Sequence, residues 1–143
     1  MNAAVKSTIR ELRNTCETAI LASVDAGGYP IQRAMLVLEH ESLQTQYFST
    51  NTSSSKVQAF LDNPKASVYY CKADSYIGVL FTGTVEVCTD QPSKDFLWRE
   101  GFEKYYPKGV TDADYCVLRF TAEAIRYYGP DAARFSIADA QDA

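Results

Sequence analysis

The pattern of apolar and polar positions predicts a chain built mostly of strands, with helices at three places. Apolar residues recur at helical spacing near the start, so residues 3–15 are predicted to form an amphipathic helix within an N-terminal helical segment, residues 1–16. Two short, mainly apolar runs, residues 18–24 and 30–38, are separated by a turn with paired glycines, which is typical of a hairpin. The second run begins at Pro30, a position where a strand tolerates a missing N–H.

Four further runs have the composition and alternation of strands. They are residues 43–48, 66–72, 76–88 and 115–121, the last extended by residues 124–128. Gly78 and Gly83 lie inside the longest run and indicate a bulge, a bend in a barrel or a close approach of backbone. Short helices are predicted after Lys56 and after Asp90, and Asn63-Pro64 ends the first of them.

The order of these elements predicts the fold class. The chain shows no regular alternation of strand, helix and strand, so neighbouring strands are predicted to pair antiparallel. Six or seven such strands with a few peripheral helices define a mainly β (α+β) domain. A small barrel is the expected architecture, because closing the sheet removes its exposed edges. At 143 residues the chain is expected to form a single domain, residues 1–143, with residues 130–143 as a short tail that frays.

The strand predicted at residues 30–38 carries a charged side chain on an apolar face. Both faces of this strand are largely apolar, so both are expected to be covered, as in a barrel wall or a dimer interface. Arg33 lies in the middle of one face and needs a partner, either a carboxylate or a phosphate. The candidate carboxylates are Glu39, Glu41 and Glu86.

A run of hydroxyl side chains, residues 49–55, leads into the second predicted helix, and Lys56 closes it. Helix N-termini carry partial positive charge and favour carboxylates, yet the first turn of this helix has a lysine instead. A phosphate bound there would meet free N–H groups, hydroxyl donors and one ammonium group. The alternative is that one serine caps the helix and Lys56 is solvated.

Composition narrows the classes of function. The net charge of −4 argues against a general nucleic-acid or acidic-membrane surface. No apolar run approaches the ~20 residues of a membrane helix, and the N-terminus has no apolar signal core, so the protein is expected to be cytoplasmic. The single histidine, His40, and four cysteines without a CxxC pair argue against a metal site and ordinary hydrolase chemistry. The cysteines are expected to be buried or half-buried thiols, and any chemistry is expected to come from a cofactor.

Three short motifs resemble the flavin-binding pattern of the pyridoxamine 5'-phosphate oxidase-like family. They are Arg33-Ala34-Met35-Leu36, then Ser49-Thr50-Asn51, then Ser54-Ser55-Lys56. Residues 58–68 are similar to that family's helix and Asn-Pro strand entry. The short general-stress-protein branch is similar further along, with a Trp-containing helix, a tyrosine-proline-glycine turn and an acidic loop. The matching residues are Trp98, Tyr105-Tyr106-Pro107, Gly109 and Asp112-Ala113-Asp114-Tyr115.

The resemblance covers roughly residues 5–128 and implies an FMN-binding split β-barrel that forms a homodimer with FMN at the subunit interface. By position, it assigns the phosphate to Arg33, Ser55 and Lys56, with Ser54 beside them. It places the strand backbone at Ala34, Met35 and Leu36, together with Ser49 and Thr50, along the isoalloxazine ring. It therefore explains both unpaired cations by one ligand, FMN.

The chain departs from the family pattern in three places. Gly78 stands where larger members often carry a glutamine near the flavin, and Tyr128 stands where short members tend to carry a tryptophan. The sequence also stops where the vitamin B6 oxidases continue into an arginine-bearing strand that grips the substrate, so efficient oxidation of vitamin B6 is not expected. Trp98, Tyr105 and Tyr106 either line the ring or pack in the core or dimer interface.

Three functions follow as alternatives. The first is an FMN-dependent oxidoreductase with NAD(P)H or a small electron acceptor as its partner. The second is a non-catalytic flavin-binding stress-response module, and the third is a reductase that uses a deazaflavin in the same barrel. The sequence identifies no general acid or base, and a barrel without any cofactor is disfavoured by Arg33 and Lys56.

Overall fold

The computed structural model describes residues 3–129 and 135–139, with side chains described for the first of these ranges. The described residues form three α-helices and seven strands. They are α1 (Ala3–Thr15), β1 (Thr18–Val24), β2 (Pro30–Leu36), β3 (Thr45–Asn51), α2 (Ser55–Asp62), β4 (Lys65–Lys72), β5 (Ile77–Cys88), α3 (Gln91–Leu97), β6 (Tyr115–Tyr128) and β7 (Phe135–Asp139). Single turns of 3₁₀-helix lie at Ala73–Ser75, Phe102–Lys104 and Gly109–Thr111.

The strands form one antiparallel sheet of seven, in the order β2-β1-β4-β5-β6-β3, with β7 beside β6. The first half of β6 pairs with β3 and the second half pairs with β7, because β6 is long enough to hold two partners along one edge. The sheet curls into a split half-barrel, with β2 and β3 as the two ends of its strand order. The predicted mainly β split barrel with peripheral helices is confirmed.

The core fills the inside of the curled sheet and is closed by α1 and α2. Side chains from six strands, β1 to β6, pack there against Ile9 and Leu12 of α1 and Phe60 of α2. The α1 helix is also held by Arg13, whose buried guanidinium donates hydrogen bonds to the backbone carbonyls of Ser42, at 2.6 Å, and His40. This contact fixes the helix to the segment that joins β2 to β3.

Several predicted boundaries differ from the observed ones. The strand predicted at residues 43–48 is β3, which begins at Thr45 and continues to Asn51, so the hydroxyl run starts as a strand. Its polar residues stay extended because they pair with β6 as far as Tyr115. The strand predicted at 30–38 ends at Leu36.

The tail was expected to fray, and this expectation is wrong for residues 135–139, which form β7 on the second half of β6. The remaining tail positions, 130–134 and 140–143, lie outside the described residues.

One sheet face points away from the core and is apolar along a row that crosses four strands. Registered pairs align Ala34 of β2, Ile20 of β1, Tyr69 of β4 and Leu80 of β5 along this row. Tyr69 is 40% exposed, and Leu36, on the same face, is 49% exposed. Among the described residues this face stays partly exposed, so the expected cover on both faces of β2 is not found there.

The two glycines inside β5 serve different purposes. At Gly83 the pairing with β6 shifts register after Thr82, and a Cβ atom there would lie 1.9 Å from the carbonyl oxygen of Thr121. At Gly78 a Cβ would lie 2.3 Å from the hydroxyl oxygen of Tyr69, so the phenol ring covers this glycine. The bulge and the close approach of backbone predicted for these positions are confirmed at Gly83.

Candidate functional site

Residues from β2, β3 and the start of α2 meet on the inner side of the sheet. Arg33 shares the inward face of the β1–β2 pair with Leu21, whose carbonyl oxygen accepts a hydrogen bond from the guanidinium at 3.3 Å. Lys56, in the first turn of α2, donates to the hydroxyl of Thr50 on β3 at 2.9 Å. The hydroxyls of Thr50 and Ser54 are 3.5 Å apart. The site therefore joins the two ends of the split barrel through the N-terminus of α2.

Two cations share this site. Burial lowers the pKa of Lys56, and the positive charge of Arg33 lowers it further; burial also lowers the pKa of Arg33. Among the side chains that the structure describes, no carboxylate lies within ion-pair distance of either cation, and the ion pair found joins Arg119 to Glu86. The carboxylate alternative for Arg33 is therefore not realised there, since Glu39 and Glu41 make no such contact either.

The start of α2 has no side-chain cap. Ser54 occupies the N-cap position with extended backbone, φ −70° and ψ 148°, but its hydroxyl makes no capping hydrogen bond, and the first turn contains no acidic residue. The serine-cap alternative for the hydroxyl run is therefore wrong. Within the described part of the chain, the backbone N–H groups of Ser55 and Lys56 have no hydrogen-bond acceptor. These donors are available beside the two cations.

The loop between β3 and α2 is fastened by a residue from a distant part of the chain. Asp114 accepts hydrogen bonds from the backbone N–H of Ser53 and from the side-chain amide of Asn51, at 2.8 and 3.0 Å. Its backbone carbonyl accepts a third, from the N–H of Thr52, at 2.8 Å. The sequence shows Asp114 only as part of an acidic loop, because no local pattern connects two segments 63 residues apart.

The structure does not bring all nine predicted cofactor-binding side chains together. The side chains of Ala34 and Leu36 lie on the outward face of β2, away from the cations. At these two positions only the backbone is left for the predicted contact with a cofactor. Met35 points inward and is buried. Ser49 points to the opposite side of β3 from Thr50, toward the phenol of Tyr106. The side chains gathered around the cations are those of Thr50 and Ser54, with Ser55 exposed at the rim.

Aromatic side chains behind β3 form a second, smaller core. The Trp98 ring lies 5.3 Å from that of Tyr115, and the Tyr106 ring lies 4.6 Å from it, measured between centroids. Tyr106 is buried, and its burial raises the pKa of its phenol. Tyr105 is 49% exposed. Core packing thus accounts for Trp98 and Tyr106, while Tyr105 extends from this cluster toward solvent.

The remaining candidate groups lie elsewhere. All four cysteines are free thiols, two buried and two half-buried, as predicted. His40 is engaged by the backbone of Tyr47, with its Nε2 3.3 Å from the N–H of that residue. In the described ranges no group of three or more His, Cys, Asp or Glu side chains could hold a metal ion. None of the helices described has the length and apolar character needed to cross a membrane.

Both the fold and the sequence of this chain are shared with proteins of one family. The curled seven-stranded sheet is shared with split-barrel proteins of known structure. Residues 5–129 match the family profile described as pyridoxamine 5'-phosphate oxidase. The chain therefore belongs to the pyridoxamine 5'-phosphate oxidase-like family, and within it resembles the general-stress-protein members, as the motifs predicted. No curated protein gives a significant match.

Solved structures extend the likeness over nearly the whole chain. A Clostridium acetobutylicum protein related to general stress protein 26 of Bacillus subtilis is 32% identical, with 97% of this chain and 96% of that chain covered and a TM-score of 0.86. General stress protein 26 from Bacillus anthracis is 18% identical, with 94% and 98% covered and a TM-score of 0.77. An F420 reductase is 20% identical, with 81% and 94% covered and a TM-score of 0.62. The last two comparisons show a shared fold.

Proposed function

We propose that this protein binds FMN, with the FMN phosphate held by Arg33 and Lys56, and acts as an oxidoreductase of its family. The observation that carries the proposal is the pair of partly buried cations without a carboxylate, beside an uncapped helix N-terminus. Two partly buried positive charges repel each other, and a phosphate between them would remove both the repulsion and part of the desolvation cost.

The residues present fit a phosphate monoester. The guanidinium and the ammonium groups would supply charge-assisted donors, and the hydroxyls of Thr50, Ser54 and Ser55 would supply further ones. The free backbone N–H groups at the start of α2 add the helix contribution to anion binding. When bound, FMN would supply hydride and single-electron transfer, while the protein's residues bind it, orient it and limit its contact with water. The partner would be NAD(P)H or a small electron acceptor.

Two alternatives share this site. The F420 reductase among the structural neighbours supports a deazaflavin as the ligand, since such a cofactor also carries a phosphate. A non-catalytic flavin-binding stress-response module would use the same residues without turnover. The visible absorption spectrum of the purified protein, with identification of the released cofactor by mass, distinguishes FMN from a deazaflavin. FMN is expected. A bound deazaflavin, or a colourless protein that takes up no FMN, would contradict the proposal. Oxidation of NAD(P)H by the FMN-loaded protein distinguishes an oxidoreductase from a non-catalytic module.

We expect the protein to be a symmetric homodimer that buries the apolar outward face. A row containing Ile20, Tyr69 and Leu80 is too apolar to face water in a stable monomer, and burying it in an obligate dimer would cover more than ~2,000 Å². Light scattering at micromolar concentration should give the dimer mass. Tyr69→Glu should shift the mass toward the monomer, whereas Tyr76→Glu, at an 81% exposed turn position, should leave the dimer intact. A monomeric native protein would remove this proposal.

We expect little oxidation of pyridoxamine 5'-phosphate. This substrate brings a second phosphate, which needs cations of its own because Arg33 and Lys56 are assigned to the cofactor. Arg119 is paired with Glu86 and partly exposed, Arg126 is exposed, and Arg134 lies outside the described residues. Pyridoxal phosphate formation in oxygenated buffer should stay far below the median turnover of about 10 s⁻¹. Turnover near that value would show that a second cationic clamp exists.

A further inference from the structure

The loop that leads into α2 is held mainly by one acidic residue from a distant part of the chain. Asn51, Thr52 and Ser53 each donate a hydrogen bond to Asp114, two of them to its carboxylate. The N–H of Ser54 is satisfied by the carbonyl of Asn51 at 3.0 Å. The backbone N–H groups of residues 52–54 are therefore all occupied by protein atoms, and the first backbone donors left for a ligand are those of Ser55 and Lys56.

Asp114 is in turn fixed from the opposite side, by the acidic loop to which it belongs. Its N–H donates to the carboxylate of Asp112 at 2.9 Å, and the N–H of Lys108 donates to the same carboxylate at 3.0 Å. The buried ammonium of Lys94 on α3 donates to the Asp112 carbonyl at 2.9 Å. These contacts involve no residue of the loop at 51–54. The acidic loop is thus a preformed support against which the other loop is held.

We propose that Asp114 is a positioning residue for the anion site: it orders residues 51–54 so that α2 begins with its free N–H groups and Lys56 beside Arg33. This inference rests on the proposed binding of the FMN phosphate. The alternative is that Asp114 opposes anion binding, because a carboxylate close to a bound phosphate repels it. If Asp114 acted only through its charge, its removal would tighten FMN binding. If it acts by ordering the loop, its removal weakens FMN binding, since the ligand must then order the loop itself. The two roles therefore predict opposite changes in FMN affinity when Asp114 is removed.

The test compares Asp114→Ala with the native protein and with Asp95→Ala. Asp95 is an exposed carboxylate on α3 that accepts from Gln91, so its removal changes the net charge equally without touching the loop. Kd values for FMN and for riboflavin are measured for each protein by flavin fluorescence. We expect Asp114→Ala to raise the FMN Kd by roughly 10-fold or more while leaving the riboflavin Kd unchanged, because its effect passes through the phosphate. Asp95→Ala should change neither value.

A second variant and a second readout keep the test decisive if Asp114→Ala folds poorly. Asn51→Ala removes one of the three contacts and should weaken FMN in the same direction but less, and its effect should not add to that of Asp114→Ala. In the FMN-free protein, the amides of Thr52 and Ser53 should exchange faster with deuterium in Asp114→Ala than in Asp95→Ala.

The possible outcomes separate this inference from the proposed function. Unchanged or tighter FMN binding in Asp114→Ala would overturn the positioning role, and so would an equal loss for riboflavin, which would indicate general loss of structure. If the native protein did not prefer FMN to riboflavin, the proposed phosphate site would fail instead. Amide exchange would still show in that case whether Asp114 orders the loop, and unchanged exchange would overturn that part as well.

Discussion

Replacing Lys56 by alanine should weaken FMN binding by roughly 10–100-fold, the loss of one charge-assisted bond of about 1.5–3 kcal/mol at about 1.4 kcal/mol per decade. The ammonium is half-buried, has Thr50 as its hydrogen-bond partner, and lies close enough to Arg33 for that charge to lower its pKa. The variant should fold normally, since the removal of one of two repelling cations relieves a cost in the ligand-free protein. Titration of the variant with FMN, followed by flavin fluorescence, measures the effect.

The matched control is Lys65→Ala, which removes the same charge from an exposed position at the start of β4. It should leave the FMN Kd unchanged, because an exposed charge is screened by solvent and salt. Riboflavin, which lacks the phosphate, should bind the Lys56→Ala and native proteins alike. Equal losses of FMN affinity in the two lysine variants would mean that net charge, and not a site at α2, governs binding.

Replacing Gly83 by alanine should destabilise the protein by about 2–4 kcal/mol, which for a domain of this size lowers the Tm by about 10 °C. The added Cβ would lie 1.9 Å from the carbonyl oxygen of Thr121 and 2.9 Å from the Cα of Ala122. Both are backbone atoms of β6, so they can move only if the β5–β6 pairing is distorted at the bulge. Thermal unfolding of the FMN-free variant, followed by circular dichroism, measures the change.

Gly27→Ala provides the comparison. Its Cβ would meet the ring of Tyr29 at 3.2 Å, but this exposed side chain can turn away, and Gly27 does not have positive φ. We expect a change in stability within about 0.5 kcal/mol, as for ordinary surface substitutions. A Gly83→Ala protein as stable as Gly27→Ala would show that the bulge adapts without cost.

The fold was predictable because its signals are local. The breaks at Asn63-Pro64 and at the paired glycines after β1 are visible in short windows, and the apolar alternation between them gives the strands. The end of β3 was not predictable in this way, since Ser49-Thr50-Asn51 is polar and becomes extended only by pairing with β6. The strand β7 has the same origin, because it forms against an edge that the second half of β6 provides.

The charged residues of the candidate site were predictable from the sequence, but the contacts that position them were not. Arg33 stood out as a cation on an apolar face, and Lys56 as a cation at the wrong end of a helix, so each was recognisable from its own segment. That they approach each other is a property of the packed barrel. The role of Asp114 depends on a contact between loops 63 residues apart, and no periodicity or spacing could have indicated it.

The central claim, that the paired cations hold the phosphate of FMN, is tested most directly by titrating the native protein with FMN and riboflavin side by side. The two ligands share the ring and the ribityl chain and differ in the phosphate. Two charge-assisted bonds of about 1.5–3 kcal/mol each predict that FMN binds at least about 100-fold more tightly. Equal Kd values for FMN and riboflavin would contradict the assignment of Arg33 and Lys56, whatever the colour of the protein.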